Sequence, residues 1–332
     1  MIPENKRAAV EKALQAAFGV NNFEKIQMLT QGLSSALIFR IEVRGTPYLL
    51  RVITRADIIG DPGYYFERMK AGAEAGLAPA IHYLSVEDRI SITDFINAKP
   101  FPLATARTEL ADTISKLHAL PKFPFRINYL NTMDAFISKF LSEKIVPAEF
   151  TDEVFERYER IKKVYPPNDE GNLVSCHNDL KPENVLFDGR RAWLVDWEAA
   201  FLNDRYVDLA VVGNFVVTNE REEVDFLERY FGERVDGYRQ ARFFLMTQMM
   251  HVFYFAFFIR LSCEGKPIDV GSLKEHDYRA FHNGIWSGEI EFHVKQPKLE
   301  YGWVHRNQFL KETSSDRFEE SIKRVSEFAH AV

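Results

Sequence analysis

The 332-residue chain is long enough for two domains, or for one domain of two lobes that each bury a core. Hydrophobic residues make up 46% and charged residues 27% of the sequence, which is ordinary for a soluble globular enzyme. The formal net charge of −6 argues against nucleic acid as a partner, because a phosphate backbone requires a basic surface.

The number of cysteines and the hydropathy of the chain indicate in which cellular compartment the protein is expected. Cys176 and Cys263 form neither a metal-spaced pair nor a disulfide framework, so a reducing compartment, the cytoplasm, is expected. Residues 1–10 carry charges where a secretory signal would need an apolar core. The longest apolar run, Met249 to Ile259, is too short to span a bilayer and predicts a buried helix. No membrane association is expected, and the oligomeric state is left open.

The first part of the chain is predicted to form a small β-rich lobe. Helical periodicity covers residues 1–18 and about Tyr64–Ala75, the second helix ending at Gly76. The strand-like runs are Ala36–Val43, Tyr48–Ile53, Ile81–Leu84 and Ile90–Phe95.

The pattern changes after Ile96, where Pro100 and Pro102 mark a linker. We therefore divide the chain into an N-terminal lobe, residues 1–96, and a C-terminal lobe, residues 97–332. The second lobe is predicted to be mostly helical, with one hairpin near residues 184–196. Its helical segments are 104–119, 133–145, 151–164, the chain from the hairpin to about 262, and a closing helix near 315–330.

The chemically informative segment is residues 174–210. It contains His177-x-Asp179-x-x-x-x-Asn184, and Asp196 follows after the hairpin. Phosphoryl transfer requires a carboxylate that accepts a hydrogen bond from the attacking hydroxyl, and a divalent cation with hard oxygen ligands. The spacing predicts that these groups meet in one place.

The hairpin register decides whether they meet. Asp188 begins a tight turn between two apolar runs. If residues 189–190 are the centre of the turn, Asn184 faces Val195, and Asp196 lies beside Asn184 at the open end. Centring the turn one residue earlier would move Asp196 two positions out of register. We adopt the first register because it makes the better metal site.

These residues resemble the aminoglycoside phosphotransferase and choline/ethanolamine kinase superfamily. The matching runs are HNDLKPEN at 177–184, LVDWE at 194–198 and VDLA at 207–210, and the resemblance covers roughly residues 25–215. It implies an α+β, two-lobed, protein-kinase-like fold: a small antiparallel β lobe with one helix, and a larger, mainly helical lobe with an embedded catalytic hairpin. It also implies a kinase that uses ATP and Mg²⁺ to phosphorylate a hydroxyl of a small molecule.

The resemblance assigns a role to each motif residue. Asp179 is the expected catalytic base, and Asn184 and Asp196 are the expected magnesium ligands. His177 is expected to be structural, and Asp208 to brace the catalytic loop by hydrogen bonding. The N-terminal lobe would bind the nucleotide, and the C-terminal lobe would carry catalysis and substrate binding.

The sequence signals for nucleotide binding are weaker than those for catalysis. The run TQGLSS before the first long strand looks like the phosphate-covering loop of the superfamily, in which Gly32, Ser34 and Ser35 approach the phosphates. Asp94 and Ile96, at the end of the last strand of the small lobe, are expected to offer backbone groups to adenine.

Arg51 takes the place at which most kinases have lysine. An arginine there can pair with phosphate oxygens and with a glutamate on the helix of the small lobe. Glu67 is the expected partner, with Glu74 as the alternative.

Trp197 and Glu198 resemble the Asp-Trp-Glu motif of choline- and thiamine-kinase-like members. An acidic, aromatic environment suits an amine or quaternary ammonium. We therefore expect a cationic amino alcohol such as choline or ethanolamine, or an aminoglycoside-like acceptor. Four further residues could add to such a site, although the aromatic ones are more simply core residues: Asp204, Tyr254, Trp286 and Trp303.

Two alternatives remain. A protein Ser/Thr kinase is suggested by the run HNDLKPEN, in which Lys181 is typical of such kinases. Against it, Asp196 is followed by Trp-Glu rather than Phe-Gly, no Ala-Pro-Glu follows, and the span to Asp208 leaves little room for an activation loop. A non-catalytic nucleotide-binding module is the second alternative, which the intact acidic residues do not favour.

Overall fold

The computed structural model describes the chain in five stretches: residues 2–29, 36–54, 62–166, 169–291 and 294–329. They divide into two compact units, which are described separately below. The first unit comprises residues 1–102 and 179–200, and the second comprises residues 103–178 and 201–332.

The described residues form nine strands and eleven α-helices. The strands are β1 (Lys25–Met28), β2 (Ala36–Val43), β3 (Thr46–Ile53), β4 (Ile81–Ser85), β5 (Ile90–Asp94), β6 (Leu173–Cys176), β7 (Val185–Phe187), β8 (Ala192–Leu194) and β9 (Phe201–Asp204). The helices are α1 (Arg7–Phe18), α2 (Pro62–Glu74), α3 (Leu103–His118), α4 (Tyr129–Glu143), α5 (Asp152–Val164), α6 (Arg205–Val216), α7 (Glu220–Phe231), α8 (Gly237–Cys263), α9 (Tyr278–Ser287), α10 (Lys295–Glu312) and α11 (Asp316–Ala329). Single 3₁₀ turns occur at Glu4–Lys6, Ala148–Phe150, Pro182–Asn184, Trp197–Ala199 and Val270–Ser272.

The first unit is built on a five-stranded antiparallel sheet in the order β1-β2-β3-β5-β4. Alternating apolar side chains of the strands face α1, as a half-buried sheet requires. Val10 and Leu14 of α1 pack against Phe39, Ile41 and Leu50, and all five are at most 2% exposed. The predicted strands are confirmed, and β1 is an addition that the four-residue run KIQM was too short to predict.

The β7–β8 hairpin belongs to the first unit, although Val185 lies 83 residues beyond Pro102 of the linker. The backbone N–H of Leu194 donates to the carbonyl of Leu77 at 2.8 Å, and that of Lys99 donates to Phe187 at 2.7 Å. Phe101 also stacks on Phe187 with ring centroids 4.2 Å apart. These contacts hold the hairpin to Leu77, just after α2, and to the segment that follows β5.

The second unit is organised around α8. Helices α4, α5, α6, α10 and α11 pack against it. By length and composition α8 is the one described helix that could cross a membrane, but 61% of its apolar window is buried inside the protein. This confirms the prediction that the apolar run around Met249–Ile259 is a buried core helix.

Two parts of the second unit differ from the sequence prediction. The short strands β6 and β9 pair antiparallel, with Cys176 facing Phe201, and residues 177–200 lie between them in the chain. Neither strand was predicted, because each is only four residues long and their pairing is non-local. The closing helix near 315–330 is confirmed as α11, whereas α9 and α10 lie in the tail for which the periodicity made no assignment.

Candidate active site

Asp179 is the first residue of the segment that returns to the first unit. Its Oδ2 atom accepts hydrogen bonds from Nδ2 of Asn184 at 2.8 Å and from Nζ of Lys181 at 3.0 Å. The side chain of Asn184 also donates to the backbone carbonyl of Asp179 at 2.8 Å. Because both side-chain contacts fall on Oδ2, Oδ1 of Asp179 is the oxygen that can accept a hydrogen bond from a ligand.

Asn184 presents an oxygen in a defined direction. Its side chain is 4% exposed overall, and its amide nitrogen is committed to Asp179. The amide oxygen is therefore the group left to face a cation. The 3₁₀ turn Pro182–Asn184, with proline at its start, fixes the backbone at this point.

The hairpin has the register that was adopted from the sequence. Val185 pairs with Leu194, and the N–H of Val195 donates to the carbonyl of Asn184 at 3.0 Å. The hydrogen bond from Asp188 N–H to the Arg191 carbonyl closes a turn centred on residues 189–190. The prediction that Asn184 faces Val195 is confirmed, and Asp196 follows directly.

Asp196 adopts a left-handed backbone conformation, with φ of 64°. This region is unfavourable for a residue with a side chain, and such residues are concentrated at functional sites. The left-handed residue ends the hairpin and begins the 3₁₀ turn Trp197–Ala199.

Arg51, on β3, lies against the carboxylates that follow the hairpin. Its side chain is 5% exposed, Nη1 lies 3.2 Å from Oδ1 of Asp196, and Nη2 forms an ion pair with Glu198. The guanidinium also lies 4.7 Å from the ring centroid of Tyr65. Burial acts to lower the pKa of Arg51, but the carboxylates of Asp196 and Glu198 outweigh it, and the pKa of Arg51 is raised. Burial raises the pKa of Tyr65 to about 12, so Arg51 is a permanent cation beside a neutral phenol.

The structure corrects the partner predicted for Arg51. Glu67 lies on the exposed face of α2, and Glu74 pairs with Lys70 at 3.9 Å on the same surface. The buried face of α2 near Glu67 is formed by Tyr65 and Arg68. Helical periodicity therefore turns Glu67 away from Arg51, which pairs with the carboxylates of Asp196 and Glu198 within the described part of the chain.

The structure also corrects the substrate role expected for Trp197. Its side chain is 0% exposed, and its indole N–H donates to the carbonyl of Leu194 at 3.2 Å. A Cβ atom added to Gly72 of α2 would lie 2.4 Å from the indole ring. Trp197 thus packs against α2 as a core residue. Glu198, the second expected substrate residue, is the ion-pair partner of Arg51.

Asp208, in the second unit, contacts the segment just before Asp179. Its Oδ2 accepts the N–H of His177 at 2.8 Å and its Oδ1 accepts the N–H of Asn178 at 2.7 Å. His177 and Asp208 are both 0% exposed. Asn178 has φ of 63° and its Oδ1 accepts a hydrogen bond from Asn203 at 2.7 Å, so this left-handed residue is held from two sides.

The remaining predicted residues are placed as follows. Gly32, Ser34 and Ser35 lie outside the described residues. Asp94 ends β5, and its Oδ1 lies 2.7 Å from Nε2 of His82. Ile96 is half-buried, two residues beyond that strand. The adenine role of Asp94 and Ile96 stays a prediction.

The four additional substrate candidates contact other side chains of the second unit. Asp204 caps α6 and binds Arg242 at 2.7 Å, and Trp303 is 4% exposed against Phe150 and Phe255. Tyr254 and Trp286 are half-buried among aromatic rings of the second unit.

Comparisons with known proteins identify the family of this chain. Residues 26–244 match the model of the phosphotransferase enzyme family. The protein LicA of Haemophilus influenzae (strain ATCC 51907 / DSM 11121 / KW20 / Rd) is 31% identical over 102 residues, which is 31% of this chain and 36% of LicA. The match thus spans about a third of the length of that relative.

Solved structures resemble the whole chain. A choline/ethanolamine kinase family protein from Mesorhizobium loti has a TM-score of 0.64 at 18% identity, covering 97% of this chain and 99% of its own. The choline kinase LicA from Streptococcus pneumoniae has a TM-score of 0.56 at 14% identity, covering 92% and 100%. A spectinomycin phosphotransferase, solved with ADP and spectinomycin, has a TM-score of 0.56 at 14% identity, covering 90% and 98%. At these identities the likeness concerns the fold, and it confirms the α+β, protein-kinase-like fold expected from the sequence.

Proposed function

Because the chain belongs to the phosphotransferase enzyme family, we propose that it transfers the γ-phosphoryl group of ATP to a hydroxyl of a small molecule. The observation that carries this proposal is the position of Asp179. Lys181 and Asn184 hold one of its carboxylate oxygens, which leaves the other to accept a hydrogen bond from an attacking hydroxyl. Fixing a base in this way supplies orientation, which is the main requirement of phosphoryl transfer.

The donor set suits magnesium. The amide oxygen of Asn184 and the carboxylate of Asp196 are hard oxygen ligands, the kind that Mg²⁺ prefers. Both are carried by the ends of one hairpin, and the Val195–Asn184 hydrogen bond fixes their relation along the chain. When bound there, magnesium would neutralise negative charge on phosphate oxygens.

Arg51 is the proposed phosphate-binding cation of the first unit. A buried guanidinium that is always charged and offers several N–H donors suits phosphate oxygens. Its present partner Asp196 is the proposed magnesium ligand, so we propose that Arg51 turns from Asp196 to the phosphates when the magnesium nucleotide binds. Glu198 would keep the guanidinium in place during that change.

The acceptor that we propose is an amino alcohol such as choline or ethanolamine. The support is the likeness to solved choline and ethanolamine kinases together with the LicA match. An aminoglycoside-like acceptor is the second candidate, which the likeness to spectinomycin phosphotransferase favours. Trp197 and Glu198 do not support a cationic acceptor, because Trp197 is buried and Glu198 is paired with Arg51.

A protein kinase and a non-catalytic module are the weaker alternatives. The match to the phosphotransferase enzyme family and the likeness to small-molecule kinases favour a metabolite acceptor over a protein. The intact set of Asp179, Asn184 and Asp196 gives no support to a module that has lost catalysis. Cys176 and Cys263 are both free and buried, which supports our expectation of a reducing, cytoplasmic setting.

A direct assay tests the proposal. The protein is incubated with γ-labelled ATP and magnesium, and with choline, ethanolamine, thiamine, spectinomycin, homoserine or a generic protein in turn. We expect label to move to an amino alcohol, and the same reaction without magnesium to be silent. Transfer to the generic protein alone would overturn the proposal of a small-molecule acceptor. Transfer to homoserine alone would overturn the proposal that the acceptor is a cationic amino alcohol.

A further inference from the structure

A buried chain of polar side chains lies behind the catalytic loop in the second unit. His118, the last residue of α3, lies with Nε2 3.1 Å from Oδ2 of Asp208 and with Nδ1 2.6 Å from the hydroxyl of Tyr230. Nη1 of Arg205 donates to the same hydroxyl at 3.3 Å. The side chains of His118 and Asp208 are 3% and 0% exposed. From the sequence His118 is expected to be structural, at the end of a helix, but nothing in the spacing of His118 or Tyr230 connects them to the motif.

The hydrogen bonds of this chain have one consistent direction. Asp208 accepts the backbone N–H groups of His177 and Asn178, one on each carboxyl oxygen. Because both oxygens act as acceptors, Nε2 of His118 carries the proton and donates to Oδ2. Burial lowers the pKa of His118, and the neutral ring then has Nδ1 as an acceptor. Tyr230 therefore donates to Nδ1, and its oxygen accepts from Arg205.

The Cys176 thiol lies in the same cluster, with Sγ 3.8 Å from Nε2 of His118. His118, Cys176 and Asp208 have ligand atoms close enough to hold a metal ion. Their hydrogen bonds argue against a metal site. Nε2 of His118 carries the proton that it donates to Asp208, and both oxygens of Asp208 accept backbone N–H groups. Burial also raises the pKa of the thiol, which keeps it protonated and a poor ligand.

We propose that His118, oriented by Tyr230, is a positioning residue for phosphoryl transfer: it fixes the Asp208 carboxylate that holds the two peptide N–H groups immediately before Asp179. This inference rests on the proposed function. Without the donor on His118, Asp208 can rotate and release Asn178, the left-handed residue adjacent to Asp179. A base displaced by about 1 Å costs on the order of 100-fold in rate, whereas nucleotide binding is not affected.

Three variants separate positioning from simple stability. His118→Leu removes both polar atoms at similar size, His118→Gln restores an N–H donor toward Asp208, and Tyr230→Phe removes only the hydroxyl. Tyr158→Phe is the matched control, because that buried tyrosine donates to Asp134 at 2.8 Å between α4 and α5, apart from this chain of hydrogen bonds.

We expect kcat to fall on the order of 30- to 100-fold in His118→Leu, with KM for MgATP within about twofold, and to recover most of that loss in His118→Gln. Tyr230→Phe should lose about fivefold, and Tyr158→Phe should keep the wild-type kcat. A wild-type kcat in folded His118→Leu would overturn the proposal. Equal losses in all four variants, following their melting temperatures, would also overturn it.

A second readout needs no turnover. Amide hydrogen exchange at His177 and Asn178 should speed up in His118→Leu relative to Tyr158→Phe, because their acceptor is loosened. Unchanged protection of these amides would contradict the inference even in a protein that phosphorylates none of the tested acceptors. A wild-type protein without kinase activity, but with this exchange pattern, would refute the proposed function and keep the hydrogen-bond chain.

Discussion

Arg51 and Glu198 form an ion pair between residues 147 positions apart in the chain, and this pair takes the place of the helix-borne partner expected for Arg51. The guanidinium is buried, so losing the Glu198 carboxylate would weaken the compensation of a charge that water cannot solvate. Glu198 is therefore expected to act on the nucleotide side rather than on the acceptor.

We expect Glu198→Gln to raise KM for MgATP about tenfold while KM for the acceptor changes less than twofold, since the amide weakens the hold on Arg51. Steady-state kinetics with each substrate varied in turn measure both constants. Glu67→Gln is the matched control and should be silent, because Glu67 is exposed. A rise in KM for the acceptor alone would restore the substrate role first expected for Glu198.

Gly72 is expected to be intolerant of any side chain. A Cβ atom there would lie 2.4 Å from the fully buried indole of Trp197, which is below any normal contact distance. Gly72→Ala should lower stability by about 1–3 kcal/mol, as overpacking of a core does. Urea unfolding measures this difference.

Gly171→Ala is the control for Gly72→Ala. The nearest atom to its added Cβ is a carboxylate oxygen of Asp169 at 3.4 Å, which is a tolerable contact. We expect a change within about 0.5 kcal/mol at this surface site. Equal stability of the two variants would show that Trp197 does not pack against α2 as described.

The second unit is expected to lose stability at mildly acidic pH. His251, His282 and His305 are at most 1% exposed, and Nδ1 of His251 lies 2.7 Å from Nδ1 of His305. Burial lowers the pKa of His251 and His282 to about 3 and that of His305 well below its usual value; Arg279 further lowers the pKa of the first two. Below about pH 6.5 these three histidines are therefore protonated in the unfolded chain but stay neutral in the folded unit.

The sign follows directly. Stability is fully present above pH 6.5 and falls as the pH drops toward 3, by up to about 1.4 kcal/mol per pH unit for each histidine. Urea midpoints between pH 7.5 and 5 measure the slope, and His282→Gln should flatten it by the share of one histidine. A stability that stays level across this range would contradict the account.

The register of the β7–β8 hairpin could be predicted from the sequence because it depends on interactions between residues that are close in the chain. The β7–β8 register followed from Asp188 and Gly189, and Oδ1 of Asp188 does accept the N–H groups of Arg190 and Arg191 at 2.7 and 3.0 Å. The turn thus carries its own hydrogen bonds, so residues close in sequence were enough to place Asn184 opposite Val195.

Long-range relations were not predictable in the same way. Whether Trp197 faces a ligand or the core depends on Gly72, 125 residues earlier, whose missing side chain makes room for the indole. The partner of Arg51 likewise depended on which face of α2 is buried. The sequence around Tyr65, Glu67 and Arg68 does not reveal that face, because it is set by the packing of α2 against the rest of the unit.

We propose that Asp179 acts on the hydroxyl while Asp196 holds the metal nucleotide. Calorimetric titration of MgADP, with turnover measured in parallel, separates these roles in Asp179→Ala and Asp196→Ala. We expect Asp179→Ala to bind MgADP within about threefold of wild type and to lose at least about 1,000-fold in kcat, and Asp196→Ala to lose MgADP binding itself. An Asp179→Ala protein that still phosphorylates its acceptor at the wild-type rate would contradict the account.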